Sequence, residues 1–197
     1  MTAEALTEHA FDVLFRTART ANAWQDRPVP AEKLHQIYDL MKFGPTSANC
    51  CPLRIVFLQT PEAKARLKPF LLEANVEKTM AAPVVAIFAM DMRFHEHLPF
   101  LFPHTDAKSW FDGNETLIAN TAFRNSSLQA AYFMLAARAA GLDCGPMSGF
   151  DPDKLNAAFF PDGRFRVNFI CNLGYGDHSQ TFPRSPRFDF EQVVQVL

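Results

Sequence analysis

Between Glu115 and Ala140 the chain runs without a glycine or a proline, and then meets Gly141. The stretch is rich in Ala, Leu, Met and Gln, residues that lose little on entering a helix. Glycine most readily takes the left-handed conformation that closes a helix. One helix of about seven turns, close to ~40 Å long, is therefore predicted here. Its apolar residues fall on nearly every side, so it belongs at the centre of the fold or of a dimer. Whatever else the chain forms has to pack around this rod.

The other periodicities are shorter. Thr7–Thr17 can form a helix with Phe11, Leu14 and Phe15 on one side. From Ala31 to Phe43, Leu34, Ile37, Tyr38 and Met41 recur at amphipathic-helix spacing, and Gly44-Pro45 ends the run. Arg54–Gln59 reads as a strand, after which Thr60 caps a helix that has Pro61 at its first position. A short helix carries Asn75 to Met80. Pro83–Ala89 is continuously apolar, the pattern of a strand buried on both faces. Gly145–Gly149 reads as a turn, Asp151-Pro152 as the cap of a helix through Phe160, and Phe165–Leu173 as a strand. A last helix begins at Asp189, with Gln192 placed for a capping box. Residues 1–197 are expected to form one α+β domain, a central sheet flanked by helices.

Composition excludes several functions. A net charge of −2 lacks the basic excess of a nucleic-acid binder, and no apolar run is long enough to span a membrane. Met1–Ala10 lacks the basic-then-apolar pattern of a secretion signal, so a cytoplasmic location is expected. Cys50, Cys51, Cys144 and Cys171 form no C-x-x-C and read as reduced thiols. His95, Glu96, His97, His104 and Asp106 are metal-ligand types, but prolines leave their spacing undefined, and no metal is expected. There is no P-loop, no G-x-G-x-x-G and no G-x-S-x-G. Many of the 20 phenylalanines crowd into Phe94–Phe111, where Pro99 and Pro103 forbid a regular core helix. Such a segment is expected to cover a ligand or a partner subunit.

Several polar segments stand among apolar neighbours: Arg16, Arg19, Thr20 and Asn22; Pro45, Thr46, Ser47 and Asn49; Asn75 and Lys78; Pro146, Met147, Ser148 and Gly149; Arg184 and Arg187. Arginine forks and hydroxyls suit a phosphate. A flat apolar slot with backbone donors and one cation suits a flavin ring. Each segment taken alone has a plainer reading, as a turn or a solvated helix end.

Taken in order, the segments resemble the motifs of the nitroreductase family of FMN-dependent flavoproteins. Arg19–Trp24 resembles its N-terminal Arg-x-Ser element, and Gly44–Asn49 its Ala-Pro-Ser-Ser-x-Asn loop. Asn75 and Lys78 match an Asn-x-x-Lys pair, Pro146–Asp151 a Pro-x-x-Gly-Phe-Asp stretch, and Arg184 the tail arginine. Leu40–Cys50, Thr121–Ser127 and Gly145–Asp151 are similar to the malonic semialdehyde reductase branch of the pyrimidine-utilisation (Rut) pathway.

The resemblance implies a mostly antiparallel sheet, an intertwined homodimer, FMN as cofactor and NADH or NADPH as diffusible electron donor. Arg19, Thr20 and Arg184, with Arg16 or Arg187, are expected on the phosphate. Asn75 and Lys78 are expected at the pyrimidine edge, and Asn22 stands where many members carry a base. The Ser148–Gly149 backbone is expected near N5, with Lys78 and Ser148 tuning the flavin. Pro45, Thr46, Ser47 and Asn49 are expected to arrive from the partner subunit. Hydride then passes in ping-pong order to an aldehyde, nitro compound or quinone. For malonic semialdehyde the product is 3-hydroxypropionate, and Arg54 or Arg124 is expected on the carboxylate. The alternatives are a general nitroaromatic or quinone reductase and a non-catalytic flavin-binding or interaction protein.

Overall fold

The structure is a computed structural model and describes residues 4–197. Its elements in order are α1 (Glu8–Phe11, continued by a π-helical turn, Asp12–Arg16), α2 (Ala31–Met41), β1 (Leu53–Leu58), α3 (Pro61–Leu67), α4 (Glu73–Ala81) and β2 (Val84–Asp91). Then follow α5 (Leu98–Leu101), α6 (Glu115–Ala139), β3 (Asp143–Met147), α7 (Pro152–Phe159), β4 (Phe165–Gly174) and α8 (Phe190–Val193).

The sheet has the order β1-β2-β4-β3, every pairing antiparallel. The period-2 alternation along β2 splits the core in two. Val84, Ala86 and Phe88 face α2 and α6, joining Leu34, Ile37, Met41, Phe133 and Ala137. Val85, Ile87 and Ala89 face the other way and meet Leu67, Leu155 and Phe160. Both faces are covered, which is why this strand carries no polar residue until Asp91. Phe88 packs edge-on against Phe133 and Phe169, each at 5.0 Å between ring centres.

α6 is the long helix predicted, capped by the Asn114 side chain on the Leu117 N–H and closed at Gly141 with φ +78°. It is not buried all round. Ala122, Ala130, Phe133 and Ala137 face the core, but Leu117, Phe123, Leu128 and Tyr132 stay exposed. The predicted first helix is shorter and changes pitch at Asp12. The predicted Gly145 turn is wrong in kind: Asp143–Met147 is an edge strand paired with β4. Its Gly and Pro hid it, although an edge strand tolerates both. Phe94–Phe111 forms short helical turns whose Phe94, Leu98 and Phe111 make a small separate core with Cys50 and Ala122.

Candidate functional site

After α1 the chain lies beside β3 almost as a further strand. Thr20 bridges Cys144, and the Ala21 N–H donates to the Cys144 carbonyl at 3.0 Å. This approach requires a glycine at 145, where a Cβ would stand 2.6 Å from the Ala21 carbonyl oxygen. Trp24 donates its indole N–H to the Lys78 carbonyl at 2.9 Å, drawing α4 toward the same strip. Lys78 Nζ then reaches Asn22 Oδ1 at 3.5 Å. One turn earlier, Asn75 Nδ2 donates to the Gly149 carbonyl at 2.9 Å. A Cβ on Gly149 would lie 2.3 Å from that nitrogen. Asn22, Asn75, Lys78 and the turn after β3 are thus joined by direct contacts. Ser148 is exposed at its apex, while Pro146 and Met147 sit on β3 itself.

A cavity of about 440 Å³ opens where this strip leaves α1, lined by Arg19, Thr20, Asn22, Arg138, Arg184 and Arg187 among others. No aspartate or glutamate lines it. Each arginine is fixed by backbone carbonyls instead. Arg19 donates to Phe182; Arg184 to Arg16 and Ala18 at 2.6 and 3.0 Å; Arg138 to Leu14 at 2.9 Å; Arg187 to Ser185 and Pro186 at 3.0 and 2.9 Å. Four guanidinium groups around one concavity repel one another and concentrate positive potential there. An anion with several acceptor oxygens relieves that repulsion.

Arg138, in the last turn of α6, escaped sequence reasoning because a basic residue there reads as a partner for the helix dipole. Arg16 does not join the cavity's lining. Glu8 and Asp12 hold it at 2.6 and 3.3 Å, more than half exposed.

Beneath the strip, buried Asn172 donates to the Lys78 carbonyl at 3.3 Å and to Thr79 Oγ1 at 3.2 Å. Its Oδ1 is buried without a donor among the described residues. An unmet acceptor of this kind is costly, and it lies directly under the Lys78 end of the site.

Pro45–Asn49 lies elsewhere on the protomer. The Ser47 N–H donates to Asn125 Oδ1 of α6 at 2.8 Å, and Asn49 Nδ2 to the Leu101 carbonyl at 2.9 Å. Thr46 Oγ1 accepts from the Cys51 N–H at 3.2 Å. Ala48, Asn49 and Cys51 all take positive φ, a local strain held by these side-chain bonds. Among the described residues no hydrogen bond joins this loop to Asn22, Asn75, Lys78 or the turn after β3.

The two arginines considered for a substrate carboxylate differ sharply. Arg54 is already spent: Asp91, fully buried, holds it at 2.7 Å and Arg164 at 3.2 Å, and the carbonyls of Cys51 and Leu53 take further donors. Arg124 is exposed on α6, in a hollow with Asn120, Phe123, Ser127 and Leu128. His97 lies 3.6 Å from Asp91 and 3.1 Å from Arg164. Among the described residues no three metal-ligand side chains are grouped to hold an ion.

A larger, mostly apolar groove of about 780 Å³ runs between α2, the free edge of β1 and α5, lined by Tyr38, Phe57 and Phe100. Sequence reasoning missed it, since it depends on β1 being an outer strand. All four cysteines are free. Burial pushes the Cys50 thiol up to about 12, against a weaker opposing pull from Thr46.

The nitroreductase family profile matches residues 16–175. A protein of Burkholderia lata, provisionally named NADH dehydrogenase/NAD(P)H nitroreductase, is 64% identical over 97% of this chain and 98% of its own. A similarly named protein of Stenotrophomonas maltophilia is 57% identical over 98% of both chains. Among solved structures, a nitroreductase-type protein from Exiguobacterium sibiricum in complex with FMN superposes with TM-score 0.85 at 19% identity, covering all of both chains. Another from Bacillus subtilis gives TM-score 0.87 at 22% identity, over 97% of this chain and all of the other.

Proposed function

Because the chain belongs to the nitroreductase family, we propose that it is an FMN-dependent NAD(P)H oxidoreductase built as an intertwined homodimer. The observation that carries this reading is the acid-free arginine cavity running straight into the Asn22–Lys78 and Asn75–Gly149 contacts. These residues fit FMN at both ends. Arg19, Thr20, Arg184, Arg187 and Arg138 would hold the phosphate, and Thr20 supplies a hydroxyl. Lys78 would offset negative charge at the pyrimidine edge, with Asn22 orienting its ammonium group. Asn75 is pinned to the turn that brings the Ser148–Gly149 backbone to the ring. The unmet Asn172 acceptor favours a polar group, or a water held by one, at that end. When bound, FMN supplies the hydride relay between a reduced nicotinamide and an oxidant.

The homodimer accounts for surface that a monomer would expose at a cost. Phe43 and Phe100 are 80% and 84% exposed, and Phe123, Leu128 and Tyr132 form an apolar stripe on α6. β1 has a free edge, and Phe188, Phe190, Val194 and Val196 in the tail are exposed. A second copy covers these faces and brings Pro45, Thr46, Ser47 and Asn49 to the flavin of its mate.

For the oxidant we favour malonic semialdehyde, reduced to 3-hydroxypropionate, on the strength of the Leu40–Cys50, Thr121–Ser127 and Gly145–Asp151 motifs. The second reading, a general nitroaromatic or quinone reductase, draws support from the names of the relatives. Steady-state kinetics with NADH and each oxidant in turn separate them. The aldehyde should give the highest kcat/KM; a nitroaromatic or quinone outpacing it by about tenfold, near 1.4 kcal/mol, would reverse the assignment.

A further inference from the structure

We propose that Arg124 selects oxidants carrying a carboxylate, making the hollow on α6 an anion-recognising pocket on the substrate side of the flavin. This deepens the function proposed above and rests on it. Asn120 and Arg124 lie one turn apart, on one face of α6, and both are exposed. Among the described residues neither side chain has a hydrogen-bond or ionic partner. Ser127 and Phe123 complete the hollow, of about 440 Å³, and Ser127 is already fixed to the Phe123 carbonyl and to Asn168.

The hollow is placed by its neighbour. Asn125, the next residue, holds the Ser47 N–H at 2.8 Å. Any face of the protomer that offers the 45–49 loop to a partner's flavin therefore offers Arg124 beside it. Arg54 cannot take this part, because Asp91 and two backbone carbonyls occupy its donors. A planar guanidinium with its donors free, next to the open face of Phe123, suits a short carboxylate with little apolar bulk. Breaking a charge-assisted contact of this type reduces transition-state binding by about tenfold or more.

The test compares malonic semialdehyde with its uncharged methyl ester on flavin-loaded wild type, Arg124→Ala and Arg124→Lys. The ratio of their kcat/KM values should fall by about tenfold or more in Arg124→Ala and recover in part in Arg124→Lys. A ratio unmoved in Arg124→Ala overturns the proposal. So does a rise in KM for NADH with the ratio unchanged, which places the arginine on the electron donor. Wild-type protein that takes up no flavin sinks the function itself; flavin-loaded wild type with an unmoved ratio sinks the Arg124 assignment alone.

Discussion

At the scale of single residues, two glycines define the site by what they lack. Gly145 allows the 19–24 strip to lie against β3, and Gly149 makes room for the Asn75 amide. Gly149→Ala should displace Asn75 and weaken FMN binding by about tenfold, roughly one charge-neutral hydrogen bond, measured by flavin fluorescence titration. Gly145→Ala meets backbone, which cannot swing aside, so it should also lower the melting temperature; unchanged affinity and melting would contradict both roles. Among the thiols, Cys50 has its pKa raised by burial, so it stays protonated and shielded at about pH 8. Iodoacetamide should label partly exposed Cys51 first, and mass spectrometry showing equal labelling of Cys50 would be inconsistent with this packing. Arg19, Asn75 and Lys78 were legible because each sits in a motif. Arg138 and the Arg54–Asp91 pair were not, since they depend on which distant segments meet.

At the scale of elements, periodicity revealed α2, β2 and α6 with nearly the right bounds, because burial against a single core imposes a regular pattern on them. β3 was missed for the converse reason. An outer strand next to a site is shaped by close backbone approach, and Gly145 and Pro146 serve that at the expense of strand-like composition. The segment after β2 is anchored by charge rather than by pattern. Asp91 holds Arg54 from β1 and Arg164 before β4, and also accepts from the Arg93 N–H at 2.9 Å. Asp91→Ala leaves two half-buried arginines facing each other and should cost about 3 kcal/mol of stability by urea unfolding. Loss of less than about 1 kcal/mol would mean the cluster is mere surface pairing.

At the scale of the whole molecule, the fold class could be read from the chain, but the assembly rests on motif resemblance and on apolar surface left uncovered. If the tail interlocks two copies, removing residues 190–197 should halve the mass seen by light scattering and release flavin. A truncated protein that stays dimeric and yellow would dissociate the tail from assembly. The central claim is narrower: that the arginine cavity is built for the phosphate of a flavin. Titrating the purified, flavin-free protein with FMN and with riboflavin, which lacks only the phosphate, tests it most directly. FMN should bind at one per chain and about a hundredfold more tightly, as several charge-assisted bonds require. Equal affinity for the two, or binding of neither, would contradict it.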